Sequence, residues 1–238
     1  MKFLKKIASS FGYNLTRKHK SETLKEIFYE RNKNNKCDFL IDVGANTGSF
    51  FSEYHKFFKK TFVFEPNKNL YKSLSVKFEK FNNIQCYSDG VGNVNEEKTF
   101  YITADRDSSL SSIKKQSIEM NKILRHTNII EDYKINVIKL SDFIRNNNLY
   151  KNNFFLKIDT QGNDLEVLLG LEEFIENVKF IKIELPVIKL YETSYNYNDI
   201  NEFMKTNKFK PVYLEHISRN KDAELVEYDA LFEKMNNE

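Results

Sequence analysis

The stretch Phe39-Leu40-Ile41-Asp42-Val43-Gly44-Ala45-Asn46-Thr47-Gly48-Ser49-Phe50 decides the fold of this chain. A short apolar run carries a carboxylate near its end, a turn with two glycines follows, and Ser49 is placed to cap the next helix. A strand, a glycine-bearing turn and a helix start together favour ligand binding at the helix N-terminus, where backbone N–H groups lack partners. The alternative is an ordinary strand-turn-helix unit whose glycines serve only the turn.

A second apolar run, Phe62-Val63-Phe64, stops at Glu65-Pro66. Glu65 follows Asp42 by 23 residues, close to the offset of about 20 residues at which an acidic side chain meets a ribose hydroxyl pair. Asn46 stands where a dinucleotide fingerprint has the glycine that lets the backbone approach a pyrophosphate. The two strand ends therefore predict a site for a nucleoside cofactor without phosphates, such as S-adenosylmethionine, rather than a nicotinamide or flavin dinucleotide.

Composition is that of a globular protein with a full core, since 40% of the 238 residues are hydrophobic and 30% are charged. Cys37 and Cys86 are isolated and lack metal-ligand spacing, which favours buried thiols in a reducing, cytoplasmic compartment. No apolar run approaches the roughly 18 residues of a membrane span, and we expect no signal peptide.

The basic charge is concentrated in a predicted N-terminal helical extension, residues 1–36. No acid precedes Glu22, and the chain from Glu22 onward has 31 basic against 34 acidic residues. That balance disfavours a nucleic-acid enzyme, whose catalytic domain should carry a basic face. Residues 1–20 show apolar side chains at helical spacing, which predicts a helix packed on its own domain or on a partner subunit, or a weak membrane-surface contact. A second helix is predicted over residues 21–31.

Residues 37–238 alternate strand and helix, which predicts an α/β domain with a mostly parallel sheet. Four predicted strands end in carboxylates, those of Asp42, Glu65, Asp159 and Glu184. The carboxyl ends of parallel strands share the ligand-binding edge of such a sheet, so we expect these acids to lie together. Asp89 follows another strand end, either as an adenine contact or as a turn residue before Gly90.

Residues 104–131 are the least regular part of the chain and are predicted to form a lid over the site, or else an exposed loop without a role. His126 lies in this segment, as a general base or as a solvated side chain. Residues 99–102 are predicted to form an edge strand and residues 136–140 another short strand. His19, His55 and His216 are expected to be structural.

Several segments together resemble the FkbM family of S-adenosylmethionine-dependent O-methyltransferases. They are IDVGANTG (41–48), FEPN (64–67), SSL (108–110), LKIDTQGNDLEVLLG (156–170), and Glu184 with the later Leu190-Tyr191-Glu192. The resemblance spans roughly residues 38–232. It implies a Rossmann-like sheet of seven strands, mostly parallel, with the last strand antiparallel and helices on both faces.

The resemblance also implies a cofactor site lined by Asp42, Gly44, Asn46, Gly48 and Glu65. We add residues adjacent to these or at other strand ends, namely Ala45, Pro66, Asp89 and Asp159. The run Asp89-Gly90-Val91-Gly92 departs from the small apolar residues more common in the family.

Two strand-end acids are the predicted catalytic residues. Asp159 and Glu184, supported by Asn163 or Asp164, could take a proton from a hydroxyl or bind Mg²⁺ or Mn²⁺, which would lower the hydroxyl pKa. Some related O-methyltransferases hold a metal at these strand ends, but the lysine that they place three residues after the first acid is Gly162 here. The predicted substrate contacts are Ser108, Ser109, Gln161 and Tyr191.

We therefore expect a cytoplasmic O-methyltransferase that uses S-adenosylmethionine. Its acceptor, by resemblance, is a hydroxyl of a carbohydrate, such as a nucleotide-activated sugar or a surface-polysaccharide precursor. The alternatives are methylation of a secondary metabolite, or a non-catalytic partner with this fold in polysaccharide assembly. A homo-oligomer is compatible with the sequence.

Overall fold

A computed structural model describes residues 23–124 and 127–235 of the chain. The strands are β1 Phe39–Val43, β2 Lys60–Phe64, β3 Ile84–Tyr87, β4 Gly90–Gly92, β5 Glu96–Thr103, β6 Ile129–Lys139, β7 Phe154–Ile158, β8 Val178–Pro186, β9 Phe209–Arg219 and β10 Leu225–Lys234. The α-helices are α1 Leu24–Asn32, α2 Ser49–Tyr54, α3 Lys68–Phe78, α4 Ile118–Ile123, α5 Leu140–Asn146, α6 Asp164–Leu169 and α7 Tyr197–Thr206. Short 3₁₀ turns cover His55–Phe57, Arg106–Ser108 and Glu172–Asn177.

The main sheet has seven strands in the order β3-β2-β1-β7-β8-β10-β9. Neighbouring strands from β3 to β8 are parallel, while β10 runs antiparallel to both β8 and β9. This arrangement confirms the predicted α/β fold, including the antiparallel last strand. The carboxyl ends of β1, β2, β3, β7 and β8 therefore meet at one edge, where the start of β10 also lies.

Both faces of the sheet are buried, which explains why its central strands are apolar runs without alternation. Ile41, Phe62 and Leu156 face the core on the side of α5 and α6. Leu40 and Phe155 face the other core, where the ring of Phe28 from α1 lies 4.7 Å from that of Phe155. At the described positions, no helix is long and apolar enough to cross a membrane.

The strands predicted over residues 99–102 and 136–140 belong to a separate small sheet in the order β4-β6-β5. Both are longer than predicted, because β5 and β6 pair with each other along most of their length as an antiparallel ribbon. Residues 104–131 mostly lie between these strands, as the 3₁₀ turn, α4 and loops. Whether this segment moves as a lid stays a prediction.

The prediction that Ser49 caps the helix after the glycine turn is wrong. Gly48 occupies the cap position with a φ of 78°, and no side chain bonds the free N–H groups there. Ser49 is instead the first residue of α2. The predicted helix over residues 21–31 is observed as α1, which begins after the capping residue Thr23. The predicted helix in residues 1–20, Arg125 and the candidate base His126 lie outside the described residues.

Candidate active site

The turn after β1 is pinned against the turn after β7. The amide of Asp159 donates to the carbonyl of Val43 at 3.0 Å, and the amide of Gly44 donates to the carbonyl of Phe64 at 3.0 Å. Gly44 has a φ of +74°, and a Cβ atom there would lie 1.8 Å from the carbonyl oxygen of Asp159. Only glycine permits both this backbone conformation and this approach. The turn therefore brings the ends of three neighbouring strands together.

Glu65 directly follows β2 and is only 5% exposed. One carboxylate oxygen accepts the amide of Asn46 at 2.6 Å, and the other accepts the amide of Asn67 at 2.8 Å. Burial raises the pKa of Glu65 to about 7, although the two backbone donors act in the opposite direction. Each oxygen retains a lone pair beyond its single backbone donor. Glu65 thus ties β2 to the glycine turn and can still accept hydroxyl groups.

Asp42 does not line the edge but lies beneath it, fully buried. It is in register with Lys157 of β7, whose Nζ is 3.2 Å from Asp42 Oδ1 and 3.6 Å from Asp159 Oδ2. The same ammonium donates to the carbonyl of Gly44. Burial raises the pKa of Asp42, and burial alone would lower the pKa of Lys157. Asp42 and Asp159 outweigh that effect, so the pKa of Lys157 is raised. This buried ion pair supports the turn from below.

A cavity of about 390 Å³ opens at this edge. It is in the size range of small-molecule sites. The predicted residues that line it are Gly44, Asn46, Glu65, Pro66, Asp89, Ser108, Ser109, Asp159, Gln161, Asn163 and Glu184. Five predicted residues within the described ranges do not line it: Asp42, Ala45, Gly48, Asp164 and Tyr191. The cavity therefore unites the strand-end acids with the serines of the segment 104–131.

Gln161 joins the predicted catalytic acids. Its Nε2 donates to Asp159 Oδ1 at 2.8 Å and to Glu184 Oε2 at 3.3 Å. Its Oε1 accepts the hydroxyl of Tyr191 at 2.7 Å, and that hydroxyl is also 3.0 Å from the carbonyl oxygen of Leu110. Tyr191 is buried behind Gln161 and orients it instead of facing the cavity. The amide group occupies the place between the two carboxylates that a bridging cation would need.

The family follows from comparison with known proteins. A family model described as the methyltransferase FkbM domain matches residues 42–211. The chain belongs to the FkbM methyltransferase family.

Solved structures resemble this FkbM-family protein in fold. FkbM from Methylobacillus flagellatus KT is 14% identical with a TM-score of 0.50, and the match covers 83% of this chain and 43% of that chain. This chain thus spans less than half the length of that neighbour. An rRNA methylase from Streptococcus thermophilus is 9% identical with a TM-score of 0.47, over 92% of this chain and 100% of that chain. SMU.1697c from Streptococcus mutans, solved with SAH, is 14% identical with a TM-score of 0.43, over 90% and 99%. No curated protein matches the sequence.

One acid of this FkbM-family protein was missed by the sequence analysis. Glu227 lines the cavity because β10 is antiparallel, so its beginning, and not its end, lies beside Glu184. Burial and then the nearby charge of Asp159 raise the pKa of Glu227 to about 7. Burial and Asp159 likewise raise the pKa of Glu184 well above its usual value. Like charges placed this close disfavour full ionisation, which makes the site strongly attractive to a cation.

The segment 104–131 contacts the glycine turn directly. Asn46 Nδ2 donates to the carbonyl of Asp107 at 3.1 Å. Asp105 holds the following loop by accepting the amide of Ser109 at 2.7 Å. Asp107 and Ser108 adopt left-handed φ values of 61° and 50°. These contacts hold Ser108 and Ser109 in the lining of the cavity.

Proposed function

We propose that this protein transfers the methyl group of S-adenosylmethionine to a hydroxyl of a carbohydrate. The observation that carries the proposal is the cavity, in which Glu65, Asp89, Asp159 and Glu184 converge beside a glycine turn. Carboxylates repel a pyrophosphate and attract a cation, so this lining favours a sulfonium nucleoside over a dinucleotide. When bound, S-adenosylmethionine supplies a methyl group made electrophilic by its positively charged sulfur.

Each part of the cavity has a role in this proposal. Glu65, whose oxygens each keep a lone pair, accepts the ribose hydroxyls. Asp89 lies beyond β3 and faces the adenine side. Asp159 and Glu184, held together by Gln161, stabilise the positive charge of the donor. Both oxygens of Asp159 already face donors, Nε2 of Gln161 and Nζ of Lys157, so Asp159 is better suited to this electrostatic role than to taking a proton.

The carbohydrate assignment is supported by the polarity of the cavity. Ser108, Ser109 and Ser111 offer hydroxyls, and Glu184 and Glu227 offer carboxylates that accept hydrogen bonds from vicinal hydroxyl groups. An acidic lining also disfavours a polyanionic RNA. Phe100, Leu110 and Ile113 line the same cavity and would suit an apolar secondary metabolite, which makes it the second candidate acceptor. We propose the cytoplasm, where S-adenosylmethionine is available, as the place of action.

The residues that were predicted to bind Mg²⁺ or Mn²⁺ do not fit a cation in this conformation. Gln161 Nε2 donates to both Asp159 and Glu184, and an N–H donor is the wrong partner for a metal ion. In the part of the chain that the structure describes, these two acids form no three-ligand cluster. No step of the proposed reaction therefore depends on a metal, and EDTA should leave the rate unchanged.

The test is an acceptor screen with methyl-tritiated S-adenosylmethionine, with and without EDTA. The panel contains UDP-glucose, UDP-N-acetylglucosamine, methyl α-D-glucopyranoside, and apolar hydroxylated aromatic compounds. We expect tritium in a sugar-containing product. Labelling confined to apolar compounds would favour the second candidate. Calorimetry that detects no binding of S-adenosylmethionine or S-adenosylhomocysteine to the folded protein would refute the proposal altogether.

A further inference from the structure

A second cavity, of about 500 Å³, adjoins the first on the side of α1 and α2. The two cavities share four lining residues, Gly44, Asn46, Ser49 and Asp159. A two-substrate transfer needs two sites that meet at the reacting atoms. If the donor occupies the first cavity, a molecule in the second cavity approaches the donor past the shared lining residues, such as Gly44 and Asp159.

The second cavity contains a histidine in an unusual setting. His216 has a side chain that is 74% exposed, and its Nδ1 lies 2.8 Å from Asp229 Oδ2. It sits at a β-bulge, because Ser218 pairs with Glu227 and Glu215 pairs with Asp229, leaving two β9 residues opposite Tyr228 alone. Its φ is 48°, in the left-handed region that residues other than glycine adopt uncommonly. Bulges re-aim side chains and occur near active sites, and here the bulge places the His216 ring at the second cavity.

The contact with Asp229 sets the proton positions on the ring. A carboxylate only accepts, so Nδ1 carries the hydrogen and Nε2 of the neutral ring is left with its lone pair. Nε2 makes no hydrogen bond to another described residue. Asp229 is itself fixed by Lys182, whose Nζ lies 2.6 Å from the same carboxylate oxygen. A carboxylate that orients a histidine, which in turn takes a proton from a hydroxyl, is a recurring catalytic arrangement.

A cation site is the rival interpretation of this cluster. Glu215, His216 and Asp229 each offer one potential ligand atom, and these three atoms all lie within 4.8 Å of one another. However, the ammonium of Lys182 already bonds Asp229 and lies 4.0 Å from Glu215, which supplies the positive charge that the acids need. The cluster is thus better suited to handling a proton than to binding a metal.

We propose that the methyl acceptor lies across the two adjoining cavities, with its reacting hydroxyl in the second cavity and the rest of the sugar at the polar groups of the first, and that His216 is the general base of the transfer, positioned by Asp229. The inference rests on the proposed function. The acceptor oxygen bonds to the methyl carbon while the carbon–sulfur bond breaks and sulfur keeps the electron pair. The hydroxyl proton passes to Nε2 of His216, and Asp229 stabilises the imidazolium. The ring then releases the proton to solvent, which its exposure permits. The other described histidine, His55, packs against Phe81 with ring centroids 5.3 Å apart and lines neither cavity.

The first measurement compares wild type with His216→Gln and His216→Ala, using His55→Gln as the matched control. The acceptor is the member of the sugar panel that wild type methylates. Loss of a positioned base should lower kcat by about 10²–10⁴-fold. The Kd for S-adenosylhomocysteine should stay unchanged, because the donor cavity is intact. Imidazole in the buffer should restore activity to His216→Ala. A kcat for His216→Gln within about threefold of wild type would overturn the assignment.

The second measurement needs no turnover and separates this inference from the proposed function. In protein with ¹⁵N-labelled histidine and bound S-adenosylhomocysteine, His216 should show a protonated Nδ1 and a bare Nε2, and Asp229→Asn should abolish that preference. UDP-glucose or methyl α-D-glucopyranoside should shift the Nε2 resonance in a saturable manner. If wild type methylates nothing in the panel but the resonance shifts, the proposed function fails while the site for hydroxylated ligands stands. If no probe shifts it, or if micromolar Mn²⁺ quenches it selectively, the inference is wrong.

Discussion

Gly44→Ala is the sharpest test of the site, because the cost can be worked out from atomic positions. The added Cβ would lie 1.8 Å from the carbonyl oxygen of Asp159 and 2.8 Å from its carbonyl carbon. Both are backbone atoms, so no rotamer change relieves the contact. The turns after β1 and β7 must separate by roughly 1 Å before the contact becomes tolerable. That movement breaks or stretches the bond from the Asp159 amide to the Val43 carbonyl, which is 3.0 Å long.

The strained backbone conformation and the weakened hydrogen bond both lower the free energy of unfolding. A left-handed φ costs a residue with a Cβ about 1–2 kcal/mol. Each strained buried backbone hydrogen bond costs about 1 kcal/mol more. With one such bond weakened, we expect the free energy of unfolding to fall by about 2–3 kcal/mol. The substitution also displaces Gly44 and Asp159, which line both cavities. Because several contacts to the ligand are then misplaced together, we expect the Kd for S-adenosylhomocysteine to rise at least about 100-fold.

Urea denaturation and calorimetry measure both effects, with Gly92→Ala as the matched control. Gly92 lacks a positive φ, and a Cβ there meets mainly a Val137 methyl at 3.0 Å, a side-chain atom that can move. The control should lose about 1 kcal/mol or less. A Gly44→Ala protein with the stability of this control and an unchanged Kd would refute the account of the turn.

Three further predictions concern charge. Glu65 and Glu227 have pKa values raised to about 7, and Asp164 has a pKa raised to about 6. Between about pH 5 and 8 the folded protein therefore holds protons that the unfolded chain has already lost, so the free energy of unfolding should fall as pH rises. Urea titrations at several pH values measure this change. For the same reason, binding of S-adenosylmethionine should release more protons than binding of neutral S-adenosylhomocysteine, which calorimetry in buffers of different ionisation enthalpy measures; equal release would contradict the acidic site. Lys157→Met leaves Asp42 buried without its ion pair and should lower the free energy of unfolding by about 3–5 kcal/mol. Adding Asp42→Leu to Lys157→Met should recover much of the lost stability. A double variant no more stable than Lys157→Met alone would contradict this prediction.

The sequence predicted the ligand edge correctly because that edge depends on a short-range rule. Parallel strands with buried faces are readable as apolar runs, and their carboxyl ends must meet. Glu65 and Asp159 each directly follow such a run, so their convergence required no knowledge of long-range packing. The antiparallel strand β10 was expected only by family resemblance. Its cavity residue Glu227 lies at the beginning of the strand, where the rule for parallel strands does not apply.

His216 was interpreted as structural because its position depends on pairing that the sequence does not encode locally. The β9 segment FKPVYLEHISR reads as a mixed, half-exposed strand, and nothing in it marks a bulge. The bulge arises only from the register with β10, which shifts between Glu227 and Asp229. A slip of one residue reverses the face to which a side chain points. The residue that we propose as the base is thus defined by the partner strand.

Asp42 is a second exception to the rule that carboxylates at the carboxyl ends of parallel strands line the ligand edge. It lies within β1, whereas Asp159 comes after the last residue of β7. Side chains two residues apart in a strand share a face, so Asp42 points with Leu40 toward the side covered by α1 and α2. There it meets Lys157 and is sealed beneath the turn instead of lining the cavity. A carboxylate near a strand end is therefore a ligand for the cofactor when it follows the last strand residue, as Asp159 does, and a support for the turn when it lies within the strand, as Asp42 does two residues earlier in the register.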